Sequence, residues 1–259
     1  MKNISSMLLV AIISFSNALQ SQTSYIDYQS PFHPIISNGP MVVSQNHLSS
    51  ELGIEIIKKG GNAIDAAVAV GFSLAVTLPR AGNLGGGGFM LIYLKEQNEI
   101  LAIDYRGQSP SRLQTDQIFG VELPRDYEKA DRDIVRYGYK ASTVPGTVSG
   151  LLLAHAEFGK LPLSEVMKPA IDQAMNGIDV SFDLEQAIAS APQLSWDDES
   201  SKIYLNDGKP LKEGSVMKRP DLAKTMSLIS ENGIKGFYSG EVAEKISSSM
   251  TNNGGSITI

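Results

Sequence analysis

Arg106 follows the apolar run EILAIDY (99 to 105), which reads as a β-strand, and so stands at a strand's C-terminal end, where sheets present ligand-binding groups. A guanidinium there can grip a carboxylate through two parallel charge-assisted hydrogen bonds. Taken alone, the position equally suits a surface ion pair, the commoner fate of such an arginine. The second chemical signal is AGNLGGGG (81 to 88), whose four consecutive glycines destabilise regular structure and belong where backbone turns oddly or packs closely. It is not a nucleotide loop. A P-loop needs Lys and Ser/Thr after the glycines, and a dinucleotide fingerprint needs a strand before and a helix after, whereas here a helix precedes and a strand follows. A tight helix-to-strand passage and a substrate-facing loop fit the pattern equally well.

The remaining reactive side chains are few. With no cysteine, the chain has no thiolate nucleophile, disulfide or cysteine-held metal. The three histidines, His33, His47 and His155, share no ligand spacing, so no metal is expected. His47 has no identifiable acidic or hydroxyl partner, which favours a structural role over general base. His155 falls on the apolar stripe of Val148, Leu151 and Leu152 and reads as a satisfied core histidine. Asp65, in the first turn of an apolar helix, is expected to be held by free backbone amides. Trp196, in the polar stretch APQLSWDDES, reads as a packing residue.

These residues need elements to position them. Lys2, the apolar MLLVAIISF (7 to 15) and Ser16-Asn17-Ala18 have the layout of a secretory leader, so residues 1–18 are expected to be removed on export. The apolar run is about half of the ~20 residues a bilayer span needs. Residues 19–40 read as an irregular lead-in, and the ordered domain is expected over 41–259. MVVS (41 to 44) reads as a short strand. A helix follows to about Lys59, capped by Asn46, with Leu48, Leu52 and Ile56 on one face. Asn62 caps a second helix, NAIDAAVAVGFSLAV, apolar on nearly every face and therefore buried on all sides. FMLIYL (89 to 94) and EILAIDY, separated by KEQN, predict a hairpin that joins a central sheet. Residues 107–140 read as surface excursions, and the rest as a layer of helices ended by glycines.

The run GGNAIDAAVAVGFSLAVTLPRAGNLGGGGFMLIYL resembles the signature region of the gamma-glutamyltranspeptidase large subunit. IDYRGQSP, VPGTVSGL, PAIDQAMNGI, GFYSGEVAEKI and NNGGSIT continue the likeness in the family's order and spacing, from about residue 41 to the end. The resemblance implies an α+β, N-terminal-nucleophile hydrolase fold, an αββα four-layer sandwich incomplete in this chain. It implies transfer of the gamma-glutamyl group of glutathione, or a related amide, to water or an amino acid through an acyl-threonine intermediate. It also gives Arg106 the role of binding the substrate's α-carboxylate. The family's acidic residue after that arginine is Gly107 here, which is expected to let the backbone flex and to disturb the arginine's pose.

In enzymes of this kind the nucleophile is a threonine freed by self-cleavage, its own amine serving as base. Thr143, Thr147, Thr225, Thr251 and Thr258 all lie in segments resembling ordinary large-subunit sequence, so the catalytic threonine is expected downstream of this chain, on a small subunit cut from the same precursor. The net charge of -6 gives no footprint for nucleic acid, and the partner expected is a small soluble substrate. No cofactor is expected, and the location implied is secreted or periplasmic. Two other readings stand beside this one: an acylase of the same fold acting on a beta-lactam side chain or poly-gamma-glutamate, and a non-catalytic relic.

Overall fold

Two asparagines start the helical body. Asn46 accepts a hydrogen bond from the Leu48 amide at 3.0 Å and opens α1 (His47–Lys58). Asn62 accepts from Ile64 and Asp65, while Asp65 accepts from the Asn62 amide at 2.8 Å, a reciprocal capping box that opens α2 (Ala63–Thr77). Both caps are legible in the sequence. The structure, a computed structural model, describes residues 36–113 and 136–259. The expected leader and most of the lead-in, and the greater part of the 107–140 excursion, lie outside the described residues. Pro40–Ile259 forms one compact unit, which holds all that follows.

After α2 the chain passes through the glycine run into β1 (Phe89–Leu94) and β2 (Glu99–Asp104), an antiparallel pair with Phe89 opposite Asp104 and Leu94 opposite Glu99. Then come α3 (Thr147–Phe158), α4 (Leu163–Asn176), β3 (Ile178–Asp179), α5 (Phe182–Ala189) and α6 (Asp198–Tyr204). The chain ends with β4 (Leu205–Asn206), β5 (Lys209–Pro210), β6 (Val216–Met217), α7 (Pro220–Asn232), α8 (Lys235–Tyr238) and α9 (Gly240–Asn252). The short pieces from β3 to β6 carry no period long enough to read from sequence.

Helix α2 is the central element, packed against α1, α3 and α4, with α7 lying on α4. Phe72, Val68 and Val76 are wholly buried, as the all-round apolar pattern predicts. Each such side chain contributes about 1.5–3 kcal/mol by leaving water. A polar seam crosses this core. Ser49 Oγ lies 2.8 Å from both Ser73 Oγ and Thr77 Oγ1, and Ser73 Oγ donates to Gln173 Oε1 at 2.7 Å. The seam ties α1, α2 and α4 in one register, because a buried hydroxyl left unpaired would cost about 1–3 kcal/mol.

Two strand expectations need correction. Residues 41–44 enter no ladder; Val43 is exposed, and Val42 packs towards Gly53 and Val70. The β1–β2 hairpin forms as expected, yet among the described residues it is a two-stranded ribbon and joins no larger sheet. Its inner face covers the helices through Ile92, Met90 and Ile103, while Phe89, Leu91, Tyr93 and Ile100 face outward.

Candidate functional site

The ribbon's ladder runs one pair beyond the named strands. Tyr105 N donates to Gly88 O at 3.0 Å and Gly88 N returns to Tyr105 O at 3.3 Å, which carries Arg106 to the rim of the sheet. The Arg106 amide donates to Asp104 Oδ1 at 3.0 Å, turning the chain as it leaves the strand. Two residues on, Gln108 and Val144 exchange backbone hydrogen bonds at 3.2 and 2.8 Å, which pins the far side of the turn.

The glycine run fits against this turn. A Cβ on Gly87 would lie 2.5 Å from both Gly107 N and Tyr105 O, so only glycine permits the approach. Gly86 O accepts from the Gly146 and Thr147 amides at 2.7 and 3.0 Å. It thereby satisfies free donors at the start of α3, which has no side-chain cap of its own. Tyr238 completes the joint: its hydroxyl donates to Pro145 O at 2.8 Å and accepts from Ser149 N at 3.2 Å. The run is therefore a passage packed between the ribbon and α3. Nothing in the local sequence marks Tyr238, since its partners lie about ninety residues upstream.

Arg106 projects from this clamped base. Its guanidinium stands 5.8 Å from the Phe89 ring centroid, and among the described residues no carboxylate pairs with it. The residue is exposed and lines a 290 Å³ cavity with Asp104, Gln108, Ser149 and Tyr238. Tyr105, the residue before it, lines the same cavity, and its ring lies against Gly88 and Gly150. Burial pushes the Tyr105 phenol above its ordinary pKa, so the ring stays neutral beside the arginine. A guanidinium beside an open cavity, without a carboxylate partner among the described residues, has its hydrogen-bond donors available for a carboxylate.

Gly107 adopts no positive φ, and a side chain there would meet Thr143 and the Val144 carbonyl.

The other singled-out residues lie elsewhere. Asp65 is wholly buried and, besides its capping contact, accepts from the Lys160 and Leu161 amides at 3.0 and 3.3 Å, joining α2 to the turn after α3. His155 Nε2 lies 2.9 Å from Leu161 O and 3.6 Å from Asp65 Oδ1, a satisfied histidine in the core. His47 opens α1, and among the described residues it forms no side-chain hydrogen bond. Trp196 is 66% exposed and meets the Tyr137 ring edge-on at 5.7 Å, looser packing than its role in a core would give. Among the described residues no three His, Asp or Glu side chains converge as a metal site, and no described helix is long and apolar enough to cross a membrane.

The family model described as Gamma-glutamyltranspeptidase matches residues 49–259. The chain is 40% identical over 237 residues to the glutathione hydrolase proenzyme of Escherichia coli (strain K12), covering 91% of this chain and 40% of that protein. It is 39% identical over 235 residues to the glutathione hydrolase proenzyme of Pseudomonas sp. (strain A14), covering 87% of this chain and 38% of that protein. The chain thus spans about two fifths of the length of these curated relatives. The crystal structure of Helicobacter pylori gamma-glutamyltranspeptidase superposes with a TM-score of 0.80 at 37% identity, over 87% of this chain and 64% of that one. The mixed helix and strand seen here is the α+β architecture of the N-terminal-nucleophile hydrolases.

Proposed function

The chain belongs to the gamma-glutamyltranspeptidase family, and from that premise we propose that Arg106 is its substrate anchor, gripping the α-carboxylate of a gamma-glutamyl compound. The observation that carries the reading is the exposed guanidinium at a strand end beside a cavity, with no carboxylate partner among the described residues. A planar fork held in place matches a carboxylate with two parallel hydrogen bonds and sets the distance to the gamma-carbonyl at the other end of the substrate.

The whole protein would move the gamma-glutamyl group of glutathione, or a related amide, to water or an amino acid. A threonine attacks the gamma-carbonyl, the amide nitrogen leaves with a proton, and the acyl-threonine ester is opened by the acceptor. No threonine of this chain is assigned that part. The proenzyme names of the relatives support a nucleophile on a second subunit cut from the same precursor. Those names also support glutathione over a beta-lactam side chain as substrate. The leader pattern of residues 1–18 supports a secreted or periplasmic location.

The test is hydrolysis of a gamma-glutamyl anilide by the full-length gene product. Arg106→Ala should raise KM by about ten- to a hundredfold, the loss of a charge-assisted pair worth ~1.5–3 kcal/mol. Arg106→Lys keeps the charge and loses the fork, and should fall between. An unchanged KM in Arg106→Ala removes the assignment.

A further inference from the structure

We propose that Asp104 is the positioning residue for Arg106: its carboxylate accepts the Arg106 backbone N–H and so fixes the direction in which the guanidinium leaves the strand. For its effect on substrate binding the proposal rests on Arg106 as anchor, whereas the bond itself is independent of that reading.

Both backbone groups of Tyr105 bond Gly88, which completes the ladder at that residue. Backbone groups alternate in direction along a strand, so the Arg106 N–H points away from β1, to an edge that carries no further strand among the described residues. Two residues later Val144 O takes the Gln108 N–H at 3.2 Å. Between these fixed points the acceptor of the Arg106 N–H is Asp104 Oδ1, at 3.0 Å. A bond from an aspartate side chain to the amide two residues on is the contact of an Asx-turn, and it selects one backbone course through residues 105 and 106.

The same bond keeps the carboxylate off the guanidinium. Asp104 and Arg106 are two residues apart on the strand, and both line the cavity. The guanidinium leans to 5.8 Å from the ring of Phe89, the residue opposite Asp104. An acid in that place could pair with it and compete with a substrate carboxylate. Among the described residues Asp104 forms no ion pair, and its short side chain is turned to its own backbone instead. Geometry and charge therefore separate at position 104. Asn keeps an acceptor oxygen at the same reach, Glu keeps the charge but carries it one methylene outward, and Ala keeps neither. Asp104 is exposed, so none of the three disturbs the packed core. Losing the bond lowers the fraction of molecules in the competent pose, and apparent affinity falls by the same factor, about three- to tenfold for one hydrogen bond.

The experiment measures kcat and KM for a gamma-glutamyl anilide, and hydrogen exchange of the Arg106 amide without substrate, in the full-length gene product. Asp104→Ala should raise KM by about three- to tenfold, leave kcat within about twofold and speed the exchange by about threefold or more. Asp104→Asn should hold both KM and exchange within about twofold of the parent, and Asp104→Glu should behave no better than Asp104→Ala. Parental KM and exchange in Asp104→Ala, or recovery in Asp104→Glu and not in Asp104→Asn, overturns the proposal. An unchanged KM in Arg106→Ala removes the anchor reading and with it the effect on substrate, while the exchange rates still decide whether Asp104 fixes the Arg106 amide.

Discussion

Helix α2 and strand β1 are both almost wholly apolar, yet they end in opposite situations. In α2 ten residues are buried, whereas in β1 only Ile92 is, with Phe89, Leu91 and Tyr93 all at least 60% exposed. The difference follows from backbone chemistry. A helix satisfies its own hydrogen bonds, so neighbouring helices of the same chain can surround it on every side. A two-stranded ribbon keeps unpaired edges and two faces, and here the helices cover only one. The candidate anchor grows from the less closed region and is held at its base by the more closed one, through Gly87, Gly146 and Tyr238. Rigidity and access are thus supplied by different parts of the molecule.

This contrast can be broken at several points. Phe72→Ala should have the largest effect, costing about 3–5 kcal/mol in urea unfolding, because a wholly buried ring leaves a cavity among packed helices. Asp65→Ala should cost about 1–3 kcal/mol, since it removes a buried carboxylate that accepts from the amides of Asn62, Lys160 and Leu161, and hydrogen exchange should show those amides opening first. Acid should act on the helical body in a smaller way. Hydrogen bonds from Lys224 and Lys245 hold the Glu241 carboxyl down to about 2 from 4.5. Its folded pKa is depressed, so its contribution is present above 4.5 and is lost as pH falls towards about 2. Glu241→Gln should flatten that segment of the stability profile, modestly, because the pair is solvent-exposed. Leu91→Ala should change the stability of this chain least, by less than about 0.5 kcal/mol, its side chain being 75% exposed. A loss at Leu91 approaching that at Phe72 would abolish the distinction between the two regions.

Local patterns carried much of this fold. The caps at Asn46 and Asn62, the all-round apolar α2 and the β1–β2 hairpin are each written in a few neighbouring residues, so they were legible. The strand expected at 41–44 misled because a short apolar run does not supply a partner for its backbone. The small strands from β3 to β6 escaped because two residues carry no period. At the site, Arg106 was legible through its place after a strand and its resemblance to a family motif. Its surroundings were not, because the bonds of Tyr238 to Pro145 and Ser149 join segments far apart in the chain.

The sequence by itself determined the order of the longer helices and the hairpin, the family and the arginine proposed as carboxylate anchor, because capping, periodicity and motif order are properties of short stretches of chain. Only the tertiary structure decided that Arg106 is free of ion pairs among the described residues, and that Gly86 and Gly87 meet the start of α3 and the 105–107 backbone. Those outcomes depend on contacts between segments tens of residues apart, such as 86 with 146 and 149 with 238. Such contacts are fixed by how the helices and the ribbon close on one another, and no local stretch encodes that closure.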